Sequence, residues 1–193
     1  MILKHTCHLI VSRVRIVYGS SGCRTIEYMG KLTSKRRHSI RKSQVSGILE
    51  RIREEIGDGA DQFEGKNIEI IETNQDVHLY LIDKEPVILE KDGILFPSLR
   101  GAVSRPFPQK RIVVDMGAVS YVVNGADIMR PGVVDATPDV TAGKPVQIVD
   151  ERHGKPLALG IALFDAADLL AQEKGKVART WHYVGDDIWN LEF

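Results

Sequence analysis

The residues of this sequence best suited to chemistry lie between Asp115 and Val134, D-M-G-A-V-S-Y-V-V-N-G-A-D-I-M-R-P-G-V-V, and the chemistry is the holding of an anion. Asn124-Gly125 and Pro131-Gly132 place two glycine-bearing turns within eight residues, and glycine turns leave backbone amides uncovered by side chains. Such amides suit a phosphate backbone. Basic residues crowd the same region, with Arg100, Arg105, Lys110, Arg111 and Arg130 against Asp115 and Asp127 between Leu99 and Val134. Together the two signals predict a shared phosphate-binding face. The same turns also read as ordinary punctuation between a helix and a strand, and the residues alone leave both readings open.

Catalytic patterns are absent from the sequence. Ala142-Gly143-Lys144 lacks the upstream glycine and the following Ser or Thr of a P-loop, and neither G-x-G-x-x-G after a strand nor G-x-S-x-G occurs. The histidines, His5, His8, His38, His78, His153 and His182, have no metal-ligand spacing, and Cys7 and Cys23 form no C-x-x-C pair. No catalytic residue, metal or cofactor is expected. The cysteine usage fits a reducing, cytoplasmic setting, and the lack of an 18-residue apolar run argues against a membrane span.

The elements that must position these residues follow from composition and periodicity. With 193 residues, 43% apolar and 27% charged, the chain can bury a core in one large or two small domains. Its zero net charge hides segregation: Lys31, Lys35, Arg36, Arg37, Arg41 and Lys42 fall in one stretch without an acid, whereas Glu50 to Ser98 holds thirteen acids and five bases. Residues 1–28 differ in character from the rest of the chain. They are expected to be an extension upstream of a natural start at Met29, or else a peripheral strand over Leu9 to Tyr18. The basic run then leads into a helix over Ser43 to Ile56, in which Val45, Ile48, Leu49, Ile52 and Ile56 recur at helical spacing and are expected to be buried. Asn67 to Glu72 with Val77 to Asp83, and Pro86 to Glu90 with Ile94 to Pro97, read as hairpins. A helix on a small antiparallel sheet buries these faces.

Pro97, Pro106 and Pro108 mark a connecting stretch, pinned by Leu99 and Phe107, with a domain boundary near Pro108. Beyond it Asp115 caps a helix whose Val119, Val122 and Val123 share a face, and a strand runs over Ala126 to Met129. Pro145 to Asp150 and Pro156 to Phe164 are apolar strands, and Asp165 caps a short helix through Leu170. Ala178 to Val184 and Ile188 to Glu192 form a last hairpin carrying Trp181, Tyr183 and Trp189. Many short strands with two short helices predict a partly closed barrel enclosing Val146, Ile148, Leu159, Ile161 and Trp189. The fold class is α+β.

Gly117-Ala118, the run Asn124 to Val133, Gly143-Lys144-Pro145-Val146 and Pro156-Leu157-Ala158-Leu159-Gly160 resemble a PUA domain, an RNA-binding module. The resemblance widens with Phe96-Pro97-Ser98-Leu99-Arg100, the Arg105 to Pro108 connector, Val114 to Ala118 and the ending Trp181 to Trp189. Together these are similar to the two-domain translation factors of the malignant-T-cell-amplified family and their archaeal counterparts, over about Leu32 to the C-terminus.

That resemblance implies a small α/β domain over 29–108 and a PUA-type pseudo-β-barrel over 109–193. It implies a role in initiation, reinitiation or recycling at the small ribosomal subunit, with tRNA or rRNA as ligand and room for an initiation-factor-like protein partner. For the site it points to Gly117, Gly125, Ala126, Arg130 and Gly132, near the sugar-phosphate chain. Arg105, Lys110 and Arg111, with Arg36, Arg37, Arg41 and Lys42 of the basic run, complete the candidate RNA-binding set. Trp181, Tyr183 and Trp189 either stack on bases or fill the barrel. The open alternatives are an RNA-modification enzyme or its targeting subunit, and a protein-binding adaptor docking through the acidic first domain.

Overall fold

The computed structural model describes the backbone of residues 9–11, 14–18, 24–28, 30–65 and 67–193. The chain separates into a unit of Met1–Leu32 and a unit of Thr33–Phe193. In the first, β1 (Leu9–Val11), β2 (Val14–Tyr18) and β3 (Arg24–Tyr28) form an antiparallel sheet in that order, so the single strand expected over Leu9 to Tyr18 is two. Met29, the start expected for the natural chain, lies outside the described residues.

The second unit opens with β4 (Ser34–Ser39), α1 (Lys42–Ile56) and a 3-10 stretch over Gly57–Phe63. It continues through β5 (Ile68–Thr73), β6 (Val77–Ile82), β7 (Glu85–Lys91) and β8 (Ile94–Pro97). The five strands form an antiparallel meander in chain order. α1 lies where periodicity predicts: Ile48, Ile52 and Ile56 are buried, Val45 and Leu49 half-buried. Gln44 Oε1 accepts the Arg41 N–H at 3.1 Å at its start, and Gly57, with φ +56°, ends it. Arg41 and Lys42 open α1, while the middle of the basic run is strand β4. Its Lys35, Arg36 and Arg37 are all exposed, and a strand wetted on both faces has no alternation to reveal it.

The connector holds a further element, α2 (Leu99–Ser104). Ser98 Oγ accepts the Gly101 N–H at 3.0 Å and donates to Pro86 O at 2.6 Å. At Gly101 the helix lies directly on β7, where a Cβ would stand 2.1 Å from Val87 O. Leu99 and Phe107 are buried as expected, the Phe107 ring meeting Phe63 and Phe96 edge-on with centroids 6.1 and 5.9 Å away.

The barrel half comprises β9 (Arg111–Val114), α3 (Met116–Val122), β10 (Ile128–Met129), β11 (Val133–Ala136), β12 (Pro145–Asp150), β13 (Pro156–Ala162), α4 (Ala166–Ala171) and β14 (Lys176–Tyr183). Its sheet runs β10-β14-β13-β12-β9-β11, with β9 and β12 parallel and the other pairs antiparallel. The outermost strands, β10 and β11, are separated in the chain only by the 3-10 turn Arg130–Gly132, so the sheet nearly closes on itself. Ile112, Val114, Val122, Val146, Ile148, Leu169 and Val177 fill the interior. Leu159 and Ile161 are buried outside that cluster.

Two expectations for the end of the chain are corrected. No strand follows β14, because the Asp186 carboxylate captures the Tyr183 N–H at 3.1 Å and the Trp189 N–H at 2.7 Å and folds the chain into a turn. Trp189 is therefore not in the barrel: it is half-buried under the Arg100 guanidinium, 4.3 Å from its ring centroid, while Arg100 also donates to Trp189 O at 3.0 Å. Across the same junction Lys91 Nζ donates to Trp181 O at 3.0 Å and Lys144 pairs with Glu55. Burial holds the Lys91 ammonium below its ordinary pKa.

Asp186 also accepts from His182 Nδ1 at 2.7 Å. Burial raises the pKa of this carboxyl, but the His182 hydrogen bond and the Trp189 and Tyr183 amides outweigh it, and the net shift is downward. A depressed pKa stabilises the fold at pH values above the ordinary aspartate range, and that stabilisation is lost as the pH falls through the folded-state value. The melting temperature is thus expected to fall in the acid range below about pH 4. Asp186→Asn should flatten that acid slope and lower stability at neutral pH by about 1–2 kcal/mol. An unaltered slope in thermal melts across pH would contradict the assignment.

Candidate functional site

The Asp115 to Val134 stretch builds a groove between α3 and the β10 turn. Asp115 Oδ1 caps α3 by accepting the Ala118 N–H at 2.8 Å, while the Asp115 N–H donates to Gly132 O at 2.9 Å. Gly132 faces Ala118 so closely that a Cβ there would stand 2.9 Å from the Ala118 Cβ. At the far end of α3, Gly125 takes φ +82° and lies against the Tyr183 ring, 2.6 Å from where its Cβ would be. Asp127 Oδ1 accepts the Thr180 N–H at 2.9 Å and Ala126 O accepts from Thr180 Oγ1 at 2.6 Å. These bonds stand in place of a ladder, which is why the strand expected from Ala126 begins only at Ile128.

Between these walls lies a groove of about 450 Å³, lined among others by Gly117, Ala118, Tyr121, Met129, Pro131 and Gly132. Tyr121 is 69% exposed and Met129 49%, large apolar side chains held out to solvent. Val119 and Val123 pack against the core beside buried Val122, as the shared valine face predicts, and Tyr121 falls off that face. Asp115 and Asp127 also line the groove, the latter paired with Lys176.

The expected site residues divide. Gly117 and Gly132 line the groove; Gly125 and Ala126 sit at the end of α3, where their N–H groups bond to Val122 O and Tyr121 O and are not uncovered. The basic residues do not converge there. Arg130 donates from both Nη atoms, to Val133 O at 2.8 Å and Leu170 O at 3.0 Å. Lys110 Nζ donates to Asp139 O at 2.7 Å, Arg111 to Phe107 O, and Arg105 Nη1 to Gln62 O at 2.9 Å. Each neutralises carbonyl dipoles and fastens a turn or the connector. Arg36, Arg37 and Arg41 are on or just after β4, with Arg37 paired to Glu69 at 2.7 Å; the Lys42 side chain lies outside the described ones. Trp181 is buried outside the barrel's core cluster, with Lys91 Nζ 5.9 Å from its ring centroid, and Tyr183 is half-buried against Gly125.

Residues 110–184 match the PUA domain, and residues 36–101 match a domain of unknown function, DUF1947. The uncharacterized protein MJ1432 of Methanocaldococcus jannaschii is 37% identical over 161 residues, which span 82% of this chain and 98% of that protein. The chain belongs to this family of two-domain PUA proteins. Its members include translation machinery-associated protein 20 of Saccharomyces cerevisiae, 29% identical across 82% of this chain and 91% of that one. Malignant T-cell-amplified sequence 1-B of Xenopus laevis is 26% identical across 65% and 71%. The crystal structure of hypothetical protein PH0734.1 from Pyrococcus horikoshii superposes with a TM-score of 0.73 at 30% identity, covering 80% of this chain and 98% of that one. In this PUA-domain protein the feature not singled out from sequence is the Tyr121–Met129 pair. Its signal was present: an aromatic side chain turned away from the valine face of its own helix.

Proposed function

We propose that this PUA-domain protein binds structured RNA, tRNA or rRNA, through the α3–β10 groove and acts with the small ribosomal subunit in initiation, reinitiation or recycling, in the cytoplasm. The observation that carries this reading is the groove itself. An exposed aromatic ring, a thioether and small residues that admit close approach suit unstacked nucleobases, which stack on aromatic side chains. The two carboxylates in its lining and the committed arginines around it make bases, more than phosphates, the part of RNA that enters. The name of the yeast relative, translation machinery-associated protein 20, supports the translational setting.

The proposal takes the chain as two domains meeting near Pro108, with residues 1–28 peripheral, and as a binder with an initiation-factor-like protein partner, not an enzyme. In sucrose gradients run at low salt the chain should travel with small ribosomal subunits and leave them at high salt. Its recovery only in the top fractions at both salt concentrations would contradict the ribosomal part.

A further inference from the structure

The groove leaves one requirement of RNA binding unmet. Affinity for a polyanion draws heavily on cations that displace condensed counterions, yet Lys176 at the groove is tied to Asp127, and Arg105, Lys110, Arg111 and Arg130 donate to backbone carbonyls. A dense run of cations lies instead on the other sheet. Lys35, Arg36 and Arg37 are consecutive on β4, the terminal strand of the five-stranded sheet, and Arg41 follows just beyond it; all four are exposed. Arg37 is paired with Glu69, and His38 lies 4.0 Å from Glu72. Lys35 and Arg36 have no ion pair among the described residues. The β4–β5 register shifts between Ser34 and Arg36, an irregularity at Lys35 of the kind that re-aims side chains at sheet edges.

We propose that β4 and Arg41 form a second, electrostatic RNA contact that holds the phosphate backbone of the same molecule whose bases enter the groove. This rests on the RNA reading of the groove and divides the work: the groove discriminates, and β4 supplies salt-sensitive affinity. β4 and the groove belong to one compact unit, Thr33–Phe193. The competing account of the same charges is protection of an exposed strand edge against pairing with other chains. It requires no RNA contact.

The test uses the full chain and a tRNA transcript, titrated over a salt series, with Lys35→Gln/Arg36→Gln/Arg41→Gln and Tyr121→Ala beside the wild type. If all three residues meet phosphates, the triple variant should flatten the slope of log affinity against log salt by about 2 to 3, at roughly 0.7 to 0.9 per contact. Its affinity should approach the wild type's as salt rises, with an unchanged melting temperature. A wild-type slope and affinity in the triple variant would overturn the proposal, and aggregation with unchanged RNA affinity would do so in favour of edge protection. If Tyr121→Ala weakens binding while the triple variant does not, β4 is excluded and the groove stands; a wild-type chain that binds no RNA removes both.

Discussion

Replacing Gly101 by alanine should destabilise the protein by about 3 kcal/mol, because the added methyl group would meet backbone that cannot rotate away. A Cβ at this position stands 2.1 Å from Val87 O, 2.8 Å from Val87 C and 3.0 Å from Val87 Cα. Relief requires α2 to lift from β7. That movement strains the Ser98 bonds to Gly101 and Pro86 and shifts Arg100, which holds Trp189, so the junction between the two sheets loosens as well. For a chain of this size the loss corresponds to a fall in melting temperature of roughly 6 to 12 °C. A melt indistinguishable from wild type would show that α2 does not sit on β7.

Tyr121→Ala should produce the opposite pattern, intact folding with impaired binding. The ring is 69% exposed, so its removal vacates little core. Loss of one base-stacking partner costs roughly 1 to 3 kcal/mol, or about 5- to 150-fold in affinity. The slope of affinity against salt should stay at the wild-type value, because no phosphate contact is removed. Arg130→Ala is the informative contrast. It deprives Val133 O and Leu170 O of their donor, so it should lower the melting temperature, by about 1 to 3 kcal/mol in stability, and leave the salt slope alone. The pair of variants separates a groove that reads bases from an arginine that shapes the groove.

Much of this architecture was legible in the chain. α1 repeats its apolar residues over fifteen positions, enough for the helical period to show, and the β5–β6 and β7–β8 hairpins announce themselves through alternation and polar turns. β4 hid because both its faces are wet, and α2 because six residues cannot display a period. The parallel pairing of β9 with β12 joins Arg111 to Gln147 across a long separation, which no local pattern records. In the site, two of the glycines singled out from sequence, Gly117 and Gly132, line the groove, whereas Gly125 sits at the far end of α3 with its N–H bonded to Val122 O. For the arginines, sequence shows where a guanidinium is attached but not what it bonds to, and those of Arg105, Arg111 and Arg130 end on carbonyls. Tyr121 was discernible only as an aromatic residue out of phase with its helix.

The most direct test of the central claim is to follow backbone amide chemical shifts while a short unstructured ribo-oligonucleotide is titrated into the protein. Binding in the groove should place the largest changes at Gly117, Ala118, Tyr121, Met129 and Gly132, with Thr180 moving through its bonds to Ala126 and Asp127. Saturable changes that leave α3 and the Arg130–Gly132 turn unmoved and gather elsewhere would contradict the account.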